Sequence, residues 1–343
     1  MPITDQIKKI TDKHDLTREE AERAFQIIMN AGATPAQISA ILIALKMKGE
    51  TIDEIVGAVG VLRFKSEKIF SPDNTIDTCG TGGDDLGSYN ISTTAAFVVA
   101  GCGVPVAKHG NRAVSSRSGS ADVLKELGVN IDADKNVMQQ ALKEAGICFM
   151  MAPKYHNSMR HVAPIRQELG VRTIFNILGP LVNPAGAKFQ LIGVYSRDLV
   201  MKMAMALSEL GTKKAWVVYG EDGMDEITTT TITHVAELKD GHISSFTINP
   251  NDYGIEIATK EDLIGGDAVY NAREMREVLL GRGKKAYRDI VLLNAAAALV
   301  VVGKTENIQN GIEMAEESIN SHKANDALLK LVEVSNDFFN EGD

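Results

Sequence analysis

The hydrophobic period of this chain changes at Asn74, and that change restricts the fold more than any other feature of the sequence. Beyond it, short apolar runs of strand length alternate with helical stretches: 75–79 then 93–102, 104–107 then 120–127, 147–150, 191–195 then 199–210, and 215–219. Strands alternating with helices predict an α/β fold with parallel strand pairs. Two further strand-like runs, 233–238 and 243–248, flank Lys239-Asp240-Gly241-His242 and predict a hairpin. From Asp267 to Phe339 the pattern returns to helix.

Before Asn74 every local signal is helical. Thr17-Arg-Glu-Glu20 and Thr51-Ile-Asp-Glu54 fit the capping box, in which a Thr hydroxyl and a Glu carboxylate satisfy exposed N–H groups reciprocally. Thr34-Pro35 sets an N-cap before a proline at the first helical position, and Gly49 suits the end of that helix. Ile38, Ile41, Leu42 and Leu45 follow helical spacing, while Ala40, Ile43, Ala44 and Met47 spread apolar surface around the cylinder. Such a helix must bury more than one face. The centre of a small bundle accounts for this, and so does a subunit interface; a homodimer built on this segment is expected.

One segment breaks the strand–helix alternation. Residues 163–184, APIRQELGVRTIFNILGPLVNP, offer Pro164 as a helix start and Gly179-Pro180 as a stop. This apolar insert is expected to pack back on the N-terminal helices. The expected division is a helical unit of residues 1–71 with 163–184, and an α/β unit of 72–162 with 185–343. The chain would then cross between them near residues 70, 163 and 185.

At 343 residues and 44% hydrophobic, the chain suffices for about two domains with full cores. A formal net charge of −9 argues against a uniformly basic nucleic-acid-binding surface, though it leaves room for a local basic pocket. The three cysteines, Cys79, Cys102 and Cys148, form no CxxC pair and read as buried thiols in a reducing compartment. The N-terminus lacks a signal-peptide pattern and no apolar run reaches the ~18 residues of a membrane span, so a cytoplasmic location is expected.

The chemistry concentrates where strands should end. Asp77-Thr-Cys-Gly80-Thr81-Gly82-Gly83-Asp84 follows an apolar run and precedes Ser88-Tyr-Asn90-Ile-Ser92-Thr93, where a helix should begin. Glycines let backbone N–H groups approach an anion, and a helix N-terminus adds positive potential. A dinucleotide fingerprint fails because Asp85 stands at its third glycine, and no Gly-Lys-Ser/Thr follows to make a P-loop. A tight corner would need the same glycines. A second loop, Lys108-His109-Gly110-Asn111-Arg112-Ala-Val-Ser115-Ser116-Arg117-Ser118-Gly119-Ser120, follows the next strand with four cationic or potentially cationic side chains. It also reads as a solvated loop in which Ser120 caps the next helix. Two phosphate-type loops at carboxyl ends of strands suggest a ligand with phosphates at both ends. After a further strand, Gly220-Glu-Asp-Gly-Met-Asp225-Glu226 brings acids able to share Mg²⁺ with substrate phosphates, although acids on a loop are often only solvated.

In this order, Gly80-Thr-Gly-Gly-Asp84, Asn90-Ile-Ser-Thr93, Lys108 to Ser116, Ser118-Gly-Ser-Ala-Asp122, Arg172-Thr-Ile-Phe-Asn176 and Gly223-Met-Asp-Glu226 resemble the anthranilate phosphoribosyltransferase family, nearly end to end. The resemblance implies a small helical-bundle domain plus a larger α/β domain with a central, largely parallel sheet, of the nucleoside phosphorylase and phosphoribosyltransferase type. It implies a homodimer, Mg²⁺ and transfer of phosphoribose from 5-phosphoribosyl 1-diphosphate to anthranilate in tryptophan biosynthesis. By the same resemblance Gly80, Gly83, Asp84, Ser88, Asn90, Ile91, Ser92 and Thr93 line the diphosphate-bearing substrate. Lys108, His109, Gly110, Asn111, Arg112, Ala113, Val114, Ser115, Ser116 and Ser120 complete that site. Ser92, Asp225 and Glu226 resemble the metal ligands, and Gly80, Asn111, Arg166 and His156 the anthranilate contacts, with His109 near the acceptor. Position 88 holds Ser where many relatives have Thr, which keeps the hydroxyl.

The residue chemistry agrees with these roles. A planar guanidinium at Arg166 suits a carboxylate, and Asn111 offers donor and acceptor to an amino-benzoate. His161 reads as structural. Departure of the diphosphate would leave oxocarbenium-like charge on the ribose, with inversion at that carbon. The arylamine is already neutral at pH 7, so no strong base is required, and no paired-carboxylate or Ser-His-Asp set is evident. Two other readings stand at this point: a pyrimidine nucleoside phosphorylase, which resembles the chain less at Lys108 to Ser116 and usually carries a further C-terminal domain, and a non-catalytic nucleotide- or nucleic-acid-binding paralogue. Closure of the helical unit over the substrates is a further expectation.

Overall fold

The computed structural model describes residues 2–83, 86–113 and 117–337. Four helices open the chain: α1 (Ile3–Thr11), α2 (Arg18–Met29), α3 (Pro35–Lys48) and α4 (Ile52–Lys65). Thr17, Thr34 and Thr51 each close a capping box, with Glu20, Gln37 and Glu54 as the returning partners, and Gly49 ends α3 with φ of 88°. Glu54 does more than cap. Fully buried, it accepts from the amides of Leu16 at 2.9 Å and Thr51 at 2.8 Å and pairs with Lys48 at 3.0 Å, fastening the loop before α2 to the start of α4.

The α/β part runs β1 (Ile76–Gly80), α5 (Ile91–Gly101), β2 (Val106–Gly110), α6 (Ser120–Glu126), α7 (Lys135–Glu144), β3 (Ile147–Met151) and α8 (Ala152–Tyr155). It then makes a detour through α9 (Ala163–Leu169) and α10 (Phe175–Leu178) before β4 (Phe189–Gly193), α11 (Arg197–Glu209), β5 (Lys214–Gly220), β6 (Thr233–Lys239) and β7 (His242–Ile248). Four helices finish it: α12 (Ala268–Leu279), α13 (Lys285–Val302), α14 (Ile308–Asn320) and α15 (Lys323–Asn336). The sheet has the order β3-β2-β1-β4-β5-β6-β7, parallel from β3 to β5 and antiparallel at β6 and β7.

Alternation along each strand sends side chains to two separate cores. Ile76, Val106, Leu191, Trp216 and Val218 face a layer built from α5, α12, α13, α14 and α15. Cys79, Ile192, Ala215 and Val217 face α11, the N-terminal helices and the detour. Ile165, Ile174, Phe175 and Leu178 of the detour share that second core with Phe25, Leu42 and Val59, so the insert does pack on the bundle.

Several details depart from the sequence reading. The insert is not one helix: α9 ends at Gly170 in the left-handed region, and the second piece, α10, stops at Leu178 with Gly179 as its C-cap, as expected, before a 3₁₀ turn at Gly179–Val182. Ser120 is the first residue of α6, and Gly119 takes the cap position, with Asp122 returning to its amide. Helix α7 lies in a stretch where polar Lys, Asn and Gln hide a narrow apolar stripe of Met138, Ala141 and Leu142. Cys102 is only half-buried, whereas Cys79 and Cys148 are buried.

Candidate active site

Strands β2 and β3 lie to one side of β1, and β4 and β5 to the other. The chain therefore reverses direction of growth between β1 and β4, the position at which an open parallel sheet leaves a crevice beyond its carboxyl ends. Gly80 ends β1 and Gly193 ends β4, paired with each other across the ladder. Both must be glycine because the acidic turn after β5 lies directly on them. A Cβ on Gly193 would overlap the carbonyl oxygen of Asp225, and one on Gly80 would collide with Oδ2 of Asp225.

That packing brings three separate loops together. The Gly82 amide donates to Oδ2 of Asp225 at 2.7 Å, and the Ser92 amide, in the first turn of α5, donates to Oε1 of Glu226 at 2.9 Å. Lys108, from β2, reaches the Thr78 carbonyl at 2.5 Å and the Ser92 hydroxyl at 3.4 Å. Gly82, Lys108 and Glu226 thus converge on one crevice.

Charge in this crevice is confined. Glu226 is buried, and burial first and the neighbouring Asp225 carboxylate second push its carboxyl up to about 8, against Lys108 and the Ser92 donors. Burial also lowers the Lys108 ammonium, opposed by Asp77, Cys79, Glu226 and Asp225. Two adjacent carboxylates and a hydroxyl form a hard, oxygen-only donor set. Among the described residues no three His, Cys, Asp or Glu side chains are grouped to hold a metal by themselves. The oxygen-only set suits an ion such as Mg²⁺, which takes one or two carboxylates and fills its remaining positions with waters and phosphate oxygens.

The second loop is held shut at its base. Asp122 accepts from the amides of Ala113 at 2.9 Å and Gly119 at 3.0 Å and lies 3.4 Å from the Arg112 guanidinium. Asn90 spans the two loops: its amide donates to the Ser118 carbonyl at 3.2 Å and its oxygen accepts from Asn271 of α12 at 3.0 Å. The segment carrying Ser88 is also braced, since Ser88 bridges Ile264 and the Tyr89 ring stacks 4.1 Å from that of Tyr287. Gly83, with φ of 78°, offers its carbonyl to Arg172 from the insert. Ile91 packs in the apolar core and Thr93 is buried. A Cβ on Gly110 would run into the Ser120 hydroxyl. Asp84, Val114, Ser115 and Ser116 lie outside the described residues.

Fewer of the loop's cations are free than the sequence suggested. Lys108 and His109 belong to β2 and are buried, and burial followed by His156 pushes the His109 imidazole down to about 3, so it is neutral. His156 is likewise pushed down to about 4, chiefly by burial. The two rings meet edge to face, 5.2 Å between centroids, and the Nε2 atom of each is buried with no hydrogen-bond partner among the described residues. Arg166 enters from α9, its guanidinium 5.4 Å from the Phe175 ring centroid and its pKa lowered by burial. Asn111 is exposed, and its side-chain oxygen accepts from the Arg112 amide at 2.8 Å.

Several supporting residues carried no role from sequence alone. Buried Asp77 accepts from Asn183 at 2.7 Å and from the His109 amide at 3.3 Å, tying β1 and β2 to the end of the insert. Asn294 holds the backbone of Ile227. An aspartate inside an apolar strand run and an asparagine inside LLNAAAALVVV were the available signals.

Residues 4–66 match the helical bundle domain of a glycosyl transferase family, and residues 72–325 match the family's a/b domain. The anthranilate phosphoribosyltransferase of Agrobacterium fabrum is 52% identical over 331 residues, 96% of this chain and 96% of the relative. The chain belongs to the anthranilate phosphoribosyltransferase family. That of Rhizobium meliloti is 52% identical over 96% of this chain and 97% of its own length. Among solved structures, the family member from Thermus thermophilus superposes with a TM-score of 0.92 at 38% identity, covering 96% of this chain and 99% of that one. The Saccharomyces cerevisiae member, in complex with PRPP and Mg, gives 0.88 at 27% identity, over 97% of each chain. This protein is therefore a phosphoribosyl-transferring enzyme of the anthranilate phosphoribosyltransferase type, and the nucleoside phosphorylase reading is set aside.

Proposed function

We propose that the chain joins anthranilate to the phosphoribosyl group of 5-phosphoribosyl 1-diphosphate, and that the crevice between β1 and β4 is where it does so. The observation that carries this reading is the convergence of the Gly82 and Ser92 amides, the Lys108 ammonium and the Asp225–Glu226 pair. The relatives support it, since the yeast protein is described with PRPP and Mg and also with 4-fluoroanthranilate.

In this proposal Gly80, Gly83, Ser88, Asn90, Ile91, Ser92, Thr93, Lys108, His109, Gly110, Asn111, Arg112, Ala113 and Ser120 hold the sugar diphosphate, with Asp84 and Val114–Ser116 carried by resemblance. Ser92, Asp225 and Glu226 would hold Mg²⁺, which supplies positive charge against the leaving diphosphate. The Gly82 and Ser92 amides preorganise the Asp225 and Glu226 carboxylates that would hold the ion. On the acceptor side, Arg166 grips the anthranilate carboxylate, while Asn111, His109 and His156 orient the ring and amine. Imidazoles with pKa near 3 and 4 are weak bases, so the histidines position rather than deprotonate. The neutral arylamine attacks C1 from the face opposite the diphosphate, and the nitrogen then sheds its proton to solvent. Orientation of amine against C1 is the remaining contribution.

The division into residues 1–71 with 163–184 and 72–162 with 185–343 is part of the same proposal, as is a cytoplasmic homodimer. The outer face of α3 supports the dimer, with Ile43 half-buried and Met47 83% exposed. Loss of anthranilate fluorescence on adding sugar diphosphate with Mg²⁺ tests the activity. Unchanged fluorescence, with phosphate-dependent cleavage of thymidine or uridine instead, would overturn it.

A further inference from the structure

Helix α13 is apolar almost throughout, and residues 290–301 are all buried. Asn294 lies in the middle of that run, 1% exposed. A buried amide at such a position is costly unless its donors and acceptor are all engaged. They are engaged, and mostly with one residue. The side-chain oxygen accepts from the Ile227 amide at 3.0 Å, and the NH₂ donates to the Ile227 carbonyl at 2.8 Å and to the Ile290 carbonyl at 2.8 Å. Ile227 follows Glu226 directly, in a segment outside any helix or strand, where backbone groups need partners from elsewhere.

We propose that Asn294 is a positioning residue for the acidic turn. Its amide mimics a strand neighbour and fixes both peptide planes flanking Ile227. Because a peptide is planar, fixing the Ile227 N–H fixes the Glu226 carbonyl and the place of the Glu226 Cα, from which the side chain reaches the Ser92 amide. The same helix also holds the other side of the site. Tyr287, two turns or about 10 Å earlier on the same face, bonds through its hydroxyl to Thr94 at 2.5 Å, in the first turns of α5 just beyond Ser92. α13 is thus a ruler that sets the spacing between Ser92 and Glu226. The inference rests on the reading of Asp225 and Glu226 as the metal-holding acids.

Mn²⁺ binding, followed by the electron paramagnetic resonance of the free ion with 5-phosphoribosyl 1-diphosphate present and anthranilate absent, tests it. Asn294→Leu removes both bonds to Ile227 while filling the core. It should fold, judged by circular dichroism, yet raise the Mn²⁺ dissociation constant about tenfold, the size of effect seen when an outer partner of a metal ligand is lost. The KM for anthranilate should stay within about twofold. Wild-type Mn²⁺ affinity in folded Asn294→Leu, alongside weakened binding in Glu226→Gln, would overturn the role of Asn294 and leave the metal assignment standing. Unchanged affinity in Glu226→Gln would instead overturn the metal assignment and this proposal with it. Asn294→Ser serves if the leucine variant does not fold. If neither variant folds, Asn294 is a core hydrogen-bonding residue and no more.

Discussion

Two glycines set how closely the acidic turn approaches the sheet. Gly193→Ala places a methyl carbon inside the Asp225 carbonyl, whose backbone has little room to yield because Gly220 and Met224 close the turn behind it at 2.9 Å. This variant should fold, since the site lies at the strand end, and should lose at least about 100-fold in kcat/KM for the sugar diphosphate, close to 3 kcal/mol of transition-state stabilisation. Steady-state kinetics check it; near-normal kcat/KM would mean the turn is not held as described. A second prediction concerns the buried histidines. Their folded pKa values, about 3 for His109 and about 4 for His156, lie below the ordinary 6.5. The unfolded chain therefore binds more protons below pH 6.5, and stability complete above that value declines as pH falls toward 4 and 3. Replacing His109 by Gln should remove about 2 kcal/mol of the stability lost between pH 7 and pH 5, measured by urea unfolding at each pH. Equal pH slopes in the two proteins would refute this.

Among the elements, α4 and α12 each depend on one buried polar group. Glu54→Ala strips partners from the Leu16 and Thr51 amides and leaves Lys48, itself only 6% exposed at its side chain, without its inner acid. A loss of about 3 kcal/mol in unfolding free energy is expected, with little change in KM for either substrate in the folded fraction. Asn271→Ala should act on stability and binding together. It frees Asn90 from α12 and strips the partner of the Gly266 amide, so thermal stability should fall and KM for the sugar diphosphate should rise several-fold in the folded protein; an unaltered KM would show that Asn90 needs no such brace. How much of this was readable from sequence follows from the range of the interactions. Capping boxes at Thr17 and Thr51 act within four residues, and strand runs such as 215–219 carry their own period, so both were legible. The glycine loop, the cationic loop and the acids were legible as motifs at strand ends. Their braces were not, because Asn90 meets Asn271 across 181 residues and Ile227 meets Asn294 across 67. The charge of the second loop was misjudged for a related reason. Whether His109 is cationic depends on burial against His156, which no local pattern states.

For the whole molecule, the outer face of α3 and the shared second core lead to different expectations. If α3 forms the subunit contact, light scattering at micromolar concentration should give twice the chain mass, and Ile43→Glu should give a monomer with an unchanged circular dichroism spectrum. A wild-type monomer would remove the dimer. Because Phe25, Leu42 and Val59 share one apolar core with Ile192 and Val217 of the sheet, closure over substrates has to stay small. The radius of gyration should be the same with and without substrates, while amide exchange slows at 170–173, where Arg172 reaches Gly83 and stacks 4.5 Å from the Tyr195 ring centroid.

The detour between β3 and β4 also means that three stretches of backbone run between the helices and the sheet: after α4, after β3 and before β4. A protease that cuts after α4 severs the one covalent link of α1–α4 to the rest, and the shared second core alone then holds them. Singly nicked enzyme should elute as one particle from a sizing column and fall into fragments only in denaturant.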